Sequence, residues 1–498
     1  MLPGEDRAAR RVLLVCLAAG ATTLLDQAVL NIAVPSLRHS LGAGAADVQW
    51  IVAGYSLAFG LALVPGGSLG DLHGRKRLFL AGMAVFLLAG VVAATGGGPG
   101  TVIGARLVQG AAAGLVNSQV IGTIQDVFHG LDRGRALGMY AVTAGVAAAL
   151  GPPLGGALVA GYGAGTGWRY CLLLSAPCAL VTLTLATRWL PPPRRTARDS
   201  RLDVTGLGLA CACTLTVMVP FIRTPGSGGA ALLWAAGACA LAGAFVAQQR
   251  LRVRRGRVPL VHPALASSRP YLLGTAVAMA QFGSSIAASL VLTVFLQDGL
   301  GLSALMTAAV SLPSALAMGV SSALAWRLVR RIGVRTVSVG LVSGICAALA
   351  GAVAVLFVPA AALPIVLAAT QALSGAAGGL AVSPNQTQVL QHAPAEAAGV
   401  GGGVLQMAQR IAAAVCLSAV SAVYLHTASG ATAVGGGPRT AYALASCVCA
   451  GLLAAALVPA RLRRAAVPPR PPRPGDPTTN GPGPRHDRRR EDRSPQER

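Results

Sequence analysis

The sequence predicts an all-α integral membrane protein with many spanning helices. Two observations carry this. Of the 498 residues, 54% are hydrophobic and only 11% are charged, against about 25% charged in an ordinary soluble domain. The apolar residues also gather into runs of about 20, the length a helix needs to cross a bilayer core, and arginines cluster between the runs. A bigger soluble core cannot produce such a deficit of charge, because its surface would still face water. Lipid as the solvent can. The runs lack the alternation of a membrane β-barrel, so each satisfies its own backbone hydrogen bonds as a helix.

In chain order the runs place fourteen spans, at residues 12–34, 48–69, 78–95, 101–124, 136–160, 168–189, 204–222, 230–248, 271–297, 303–326, 336–357, 362–384, 400–424 and 440–459. The first follows Arg7, Arg10 and Arg11 and could pass for a secretory leader. Its apolar run continues past Asp26 to Pro35, which is long enough to remain as a membrane helix. The seventh and eighth spans are short and meet at the Pro225–Gly229 turn. Arginine clusters fall at Arg7–Arg11, Arg75–Arg77, Arg133–Arg135, Arg188–Arg201, Arg250–Arg257 and Arg327–Arg335, and after Arg461. Each lies before the first span or after an even-numbered one. The opposite side carries only Arg38, Arg169, Arg223 and Arg439. By the positive-inside rule both termini are expected in the cytoplasm. One missed helix would invert half of this pattern.

The net charge of +24 suggests a nucleic-acid partner at first sight. Its distribution in short clusters between apolar runs makes it a determinant of topology instead, and no nucleic-acid partner is expected. The Pro- and Arg-rich stretch after Arg461 has too little apolar content to fold alone and is read as a solvated tail touching anionic lipid. Ten cysteines are scattered through the apolar runs. Cys211/Cys213 and Cys447/Cys449 are two residues apart, so neither pair shares a helix face, and no Cys/His cluster has metal-ligand spacing. They read as small apolar residues, and no metal site is expected.

Few charges remain inside the membrane. Asp26 is the only acid well within a span, Asp126 and Asp298 stand at span ends, and Arg106 and Arg410 are the intramembrane bases. A charge at that depth costs several kcal/mol or more, so each is a candidate functional group. Gln109 and Gly110 share the helix face of Arg106, and Gln406 lies one turn before Arg410. Asn31, Asn117, Gln281 and Gln371 add uncharged polar groups within spans. Together they suggest a polar-lined cavity in an apolar bundle. No phosphate-binding G-x-x-x-x-G-K-[ST] loop is present; Lys76, the only lysine, is followed by Arg77. No nucleophile–base pair appears in the spans, so an enzyme is not expected. A lone membrane carboxylate suits proton coupling, because changing its neighbours loads and unloads a proton.

Four motifs add detail. Gly67-Ser68-Leu69-Gly70-Asp71-Leu72-His73-Gly74-Arg75-Lys76-Arg77 follows the second span, where Gly67 would permit close helix approach and Asp71 could face a helix N-terminus. Leu25-Asp26-Gln27-Ala28-Val29-Leu30-Asn31-Ile32-Ala33-Val34-Pro35 lies in the first span, and Arg106-Leu107-Val108-Gln109-Gly110 in the fourth. Gly151-Pro152-Pro153-Leu154-Gly155-Gly156 lies in the fifth, where proline removes a helix bond and glycines allow tight packing, giving a bend or a sliding contact. In this order the motifs resemble those of the major facilitator superfamily, and within it the fourteen-span drug:proton antiporters, from about residue 12 to 460. Two positions depart from the family pattern: Ala28 replaces a threonine and Ala147 a glycine.

The resemblance implies two six-helix halves, residues 1–190 and 271–460, with an inserted helix pair in 191–270 and the basic tail in 461–498. It implies that Asp71, with Gly67, Gly74, Arg75 and Lys76, latches the halves against the start of the span near residue 400, and that Arg106 faces the central cavity and assists proton transfer. Gly151, Pro152, Gly155 and Gly156 match the exporter signature and favour export over uptake. The expectation is a monomeric, proton-driven exporter of small apolar drugs or secondary metabolites in a bacterial inner membrane, with no cofactor. Asp26 carries the proton, Arg106 tunes it, and Asn31, Gln109, Asn117, Gln281, Gln406 and Arg410 line the cavity. No acid lies between Leu302 and Pro384, which favours neutral, monocationic or anionic substrates over divalent cations. A same-fold exporter of one metabolite and a non-transporting membrane sensor are the alternatives.

Overall fold

The computed structural model describes residues 3–128, 130–192, 203–222, 228–257, 259–261, 263–333, 335–393, 398–428, 430 and 437–466. The predicted tail from 467 onward and the 223–227 part of the Pro225–Gly229 turn lie outside these residues. Among the described residues every regular element is helical: α1 (Pro3–Leu41), α2 (Ala45–His73), α3 (Arg75–Thr95), α4 (Pro99–Val127), α5 (Gly130–Tyr162), α6 (Gly167–Leu173), α7 (Ser175–Trp189), α8 (Val204–Ile222), α9 (Gly228–Arg254), α10 (Pro263–Ser267), α11 (Arg269–Val294, closed by a π-turn at Phe295–Gly299), α12 (Ala304–Ile332), α13 (Arg335–Phe357), α14 (Leu363–Gln391), α15 (Ala398–Ala428) and α16 (Pro438–Ala466).

Eleven stretches among the described residues are long and apolar enough to cross a membrane. They occupy eleven of the predicted spans. At the fourth, seventh and eighth stand α4, α8 and α9. In α4 the apolar run is diluted by Arg106, Gln109, Asn117 and Gln119. The sixth predicted span is two helices, α6 and α7, parted at Leu174. Pro177 has no N–H to give to the carbonyl four residues back, at Leu173, so one helix bond is missing there, while Leu174 keeps helical dihedrals and Gly167–Trp189 crosses as one stretch. Large apolar side chains such as Leu88, Phe357 and Ile365 face outward, while Asp26, Arg106, Gln109 and Arg410 are buried. Polar inside and apolar outside is the arrangement lipid selects.

The packing of α1–α7 is repeated by α11–α16. The first helix packs on the fifth, the second on the fourth and the third on the fourth; correspondingly α11 packs on α15, α12 on α14 and α13 on α14. Each half is thus the same helical bundle. Two equivalent seams join them, α2 against α15 and α5 against α12. The pair α8–α9 packs mainly on itself, with α8 also touching α15 and α2.

Backbone contact at the seams depends on glycine. A methyl group at Gly156 on α5 would come within 2.8 Å of the Ala304 carbonyl on α12, and at Gly60 on α2 within 2.8 Å of Arg410 Cβ on α15. At the face away from the chain termini the halves are tied by polar contacts. Arg38 and His39 each approach Asp298 at 3.3 Å, and Gln297 donates to the Ile32 carbonyl at 3.0 Å.

One feature differs from the sequence reading. The predicted tail starts at 461, but α16 runs on to Ala466 and buries Arg463, which donates to Asn385 Oδ1 at 2.6 Å and Gln388 Oε1 at 2.8 Å. At the ends of its predicted spans the inserted pair is tied by a polar knot. Asp203 caps α8 through the Gly206 amide at 2.8 Å and accepts from Gln248, Gln249 and the Leu260 amide. Arg252 stands 3.4 Å from it.

Candidate functional site

Asp26 sits on α1 at the centre of the first half, with its side chain fully enclosed. A carboxylate in that setting needs a counter-charge and hydrogen bonds on both oxygens, and it has them. Arg106 Nη1 on α4 donates to Oδ2 at 2.6 Å. Gln109 Nε2 and Ser175 Oγ donate to Oδ1 at 3.0 and 2.9 Å. Arg106 also donates to Gln109 Oε1 at 2.7 Å, so that amide bridges the acid and the base. Arg106 and Gln109 reach the same carboxylate because residues three apart share a helix face. Ser175 reaches it from the first turn of α7. A guanidinium face lies 4.1 Å from the Tyr55 ring on α2, and α4 can approach α2 so closely because Gly110 and Gly114 sit against the Tyr55 and Phe59 carbonyls.

A second centre lies where the halves meet. Arg410 on α15 is 6% exposed and donates to Gln27 Oε1 on α1. Its guanidinium lies 4.1 Å from the Phe59 ring on α2 and 5.2 Å from the Phe282 ring on α11. Gln27 Nε2 in turn donates to Ser56 at 3.2 Å. Tyr55 and Phe59, one turn apart on α2 with ring centroids separated by 6.2 Å, each carry one of the two arginines. Asp26 and Gln27, adjacent on α1, project about 100° apart and serve one centre each.

The other predicted cavity residues are more dispersed. Asn117 on α4 is buried and donates to Tyr140 Oη at 2.8 Å, while its Oδ1 is buried with no partner among the described residues. Gln281 precedes Phe282 on α11, and its Oε1 is likewise buried without a partner among them. Asn31 is half-buried one turn beyond Gln27, and Gln406 is half-buried one turn before Arg410. The structure therefore joins Asp26, Arg106 and Gln109 in one network and puts Arg410 at another.

The predicted latch is resolved in part. The close approach expected at Gly67 is made by its neighbours instead. A methyl at Gly67 would meet nothing within 4 Å, whereas Gly66 abuts Ser118 and Leu115, and Gly70 abuts Gln119. In a helix only one face meets the partner, and Gly67 lies off that face. Gly74 takes φ 91° at the turn from α2 to α3, a region costly for other residues. Arg75 Nε pairs with Asp126 at 2.8 Å, and Lys76 Nζ caps the end of α7 through the Thr187 and Leu190 carbonyls at 2.8 and 2.9 Å. The side chain of Asp71 and residues 394–397 lie outside the described residues, and so does the expected Asp71 contact. Gly151 and Gly155 seat α5 on Ala28 and Val29 of α1, and Gly156 seats it on α12. The helix continues through Pro152 and Pro153.

Sequence reasoning missed Ser175, Gln27, Phe59 and Phe282. Gln27 stands inside a quoted motif, and the spacing of Tyr55 and Phe59 marks one face of α2. Nothing local marks Phe282. Among the described residues no cluster of three or more potential metal ligands occurs.

Two seamed helical bundles of repeated packing, with a buried acid–base pair and a polar seam, define a membrane transporter. The family model of the Major Facilitator Superfamily matches residues 16–417, and the chain belongs to that superfamily; it is a transporter, not an enzyme. It is 36% identical over 292 residues to a probable actinorhodin transporter of Streptomyces coelicolor, covering 58% of this chain and 50% of that protein. It is 35% identical over 344 residues to a puromycin resistance protein of Streptomyces alboniger, covering 68% of this chain and 66% of the other. A multidrug resistance protein of Mycobacterium tuberculosis is 27% identical over 406 residues, covering 80% and 73%. The chain thus spans between half and two thirds of the length of the first two relatives. The fold is similar to that of a D-xylose–proton symporter, with a TM-score of 0.62, 15% identity, and coverage of 89% of this chain and 96% of that one.

Proposed function

We propose that this transporter exports small, mostly apolar drugs or antibiotics across a bacterial plasma membrane, by alternating access coupled to inward proton movement. The observation that carries the reading is the buried Asp26–Arg106–Gln109–Ser175 network. Asp26 is the proton site. Protonation removes the charge that holds Arg106, and Arg106 then keeps only Gln109 and the Tyr55 face. The network loosens next to the α2 and α5 elements that form the seams, so proton occupancy biases how the halves pack. The exporter-type glycines of α5 support this, since Gly151 and Gly155 rest on the helix that bears Asp26 while Gly156 rests on the opposite half.

Export is supported by the relatives' names, and the Arg-rich turns support a cytoplasmic location for both termini. The pair α8–α9 completes a fourteen-span topology and takes no part in the chemistry. The protein works as a monomer, without a cofactor, on the proton gradient. A dedicated exporter of one host-made metabolite is a second reading, favoured by relatives named for actinorhodin, puromycin and cephamycin.

The test is efflux of the neutral dye N-phenyl-1-naphthylamine from cells carrying wild type or Asp26→Asn. The expected result is wild-type efflux abolished by a proton uncoupler, and no efflux above background from a folded Asp26→Asn. Equal efflux by the variant would make Asp26 a structural charge.

A further inference from the structure

We propose that Arg410 anchors an ionised acid group, a carboxylate, sulfonate or acidic phenol, on an otherwise aromatic or apolar substrate. This rests on the export reading and narrows its substrate class. The intramembrane arginines differ in one decisive respect. Arg106 is neutralised by Asp26 at 2.6 Å. Arg410 is buried just as firmly, yet among the described residues no carboxylate lies within 4 Å of it, and the one acceptor it reaches is the neutral Gln27 amide.

A guanidinium carries five N–H donors in a plane. Phe59 and Phe282 cover Arg410 with aromatic rings at 4.1 and 5.2 Å, contacts that favour the cation but accept none of its N–H groups. The donors not given to Gln27 lie along the edge of the plane, where a planar oxyanion is received with two parallel bonds. None of the described residues supplies such an oxyanion, and a buried charge without one is costly. A bound anion supplies it. The flanking rings would hold the aromatic body of the same molecule.

The location suits a substrate. Gln27 and Phe59 belong to the first half and Arg410 and Phe282 to the second, so an anion here touches both halves. When they part, Arg410 leaves Gln27 and Phe59 together.

The test is equilibrium binding to the full chain in phosphatidylcholine nanodiscs, which contain no anionic lipid. The probes are 8-anilinonaphthalene-1-sulfonate and the neutral N-phenyl-1-naphthylamine. Arg410→Gln should weaken the sulfonate by about tenfold or more and weaken it far more than it does the neutral dye, while Arg410→Lys keeps part of the sulfonate affinity. Equal sulfonate affinity in wild type and Arg410→Gln overturns the proposal. Should Arg410→Gln fail to fold, wild type alone decides. 1-Naphthoate must displace the sulfonate, while neutral 1-naphthamide and chloride must not; equal displacement by the amide or by chloride overturns the aromatic-anion site. Proton-driven efflux of the neutral dye is scored separately. Its loss with charge selectivity intact would sink the export reading and leave the anion site standing.

Discussion

Arg106 and Arg410 stand one in each half of the bundle, both buried, both laid on a ring of the same helix at 4.1 Å. Around Arg106 the charge is closed by its own counter-ion, with Arg106, Asp26, Gln109 and Ser175 sharing four hydrogen bonds and the Arg106 Nε left without a partner among the described residues. Around Arg410 the described residues give one neutral amide and two rings. The difference lies in the counter-charge. On the proposed reading, the closed pair changes when a proton neutralises its acid, and the open arginine takes a charge from outside the chain.

Replacing each arginine by methionine draws the sharpest line between them. Arg106→Met strands a buried carboxylate, and breaking such a pair costs about 3–5 kcal/mol. Arg410→Met removes a charge with no counter-ion and should be neutral or stabilising. Thermal unfolding in detergent should place the first variant well below wild type and the second at or above it. Equal losses would erase the distinction.

A smaller effect is expected at Asp203, whose network is closed like that of Asp26 but lies at the end of the inserted pair. Burial pushes its carboxyl up, but the Gly206 amide, Gln249, Gln248 and Arg252 outweigh this and hold it below the usual carboxylate range. A depressed value stabilises the charged form, so its contribution is complete above about pH 4 and is lost as the pH falls below that. Asp203→Asn should loosen α8–α9 by about 1–2 kcal/mol, read as faster hydrogen exchange in both helices at neutral pH. It should also remove the acid sensitivity of that exchange. Unchanged exchange would show that the knot does not hold the pair.

Much of this was legible in the sequence. Charge scarcity and arginine spacing set the class, and the motif residues Asp26, Arg106 and Gln109 meet in one network because each lies on a regular helix. The centre at Arg410 was only half legible. Its partners come from α1, α2 and α11, and which faces of distant helices meet depends on the seam rather than on any local pattern. Gly67 was misplaced for a similar reason: a run with glycines at 66, 67 and 70 does not say which of them faces α4. Ser175 carries no local mark either, and its bond to Asp26 appears only once α7 is docked on α1.

The central claim is that Asp26 carries the coupled proton. It is tested most directly by adding N-phenyl-1-naphthylamine to the purified, lightly buffered protein and following a soluble pH indicator. Because proton occupancy and the packing of the halves are linked in this account, wild type should take up or release protons as the dye binds, and Asp26→Asn should bind the dye with no such change. A proton change in Asp26→Asn equal to that of wild type, or dye binding by wild type with none, would contradict the account.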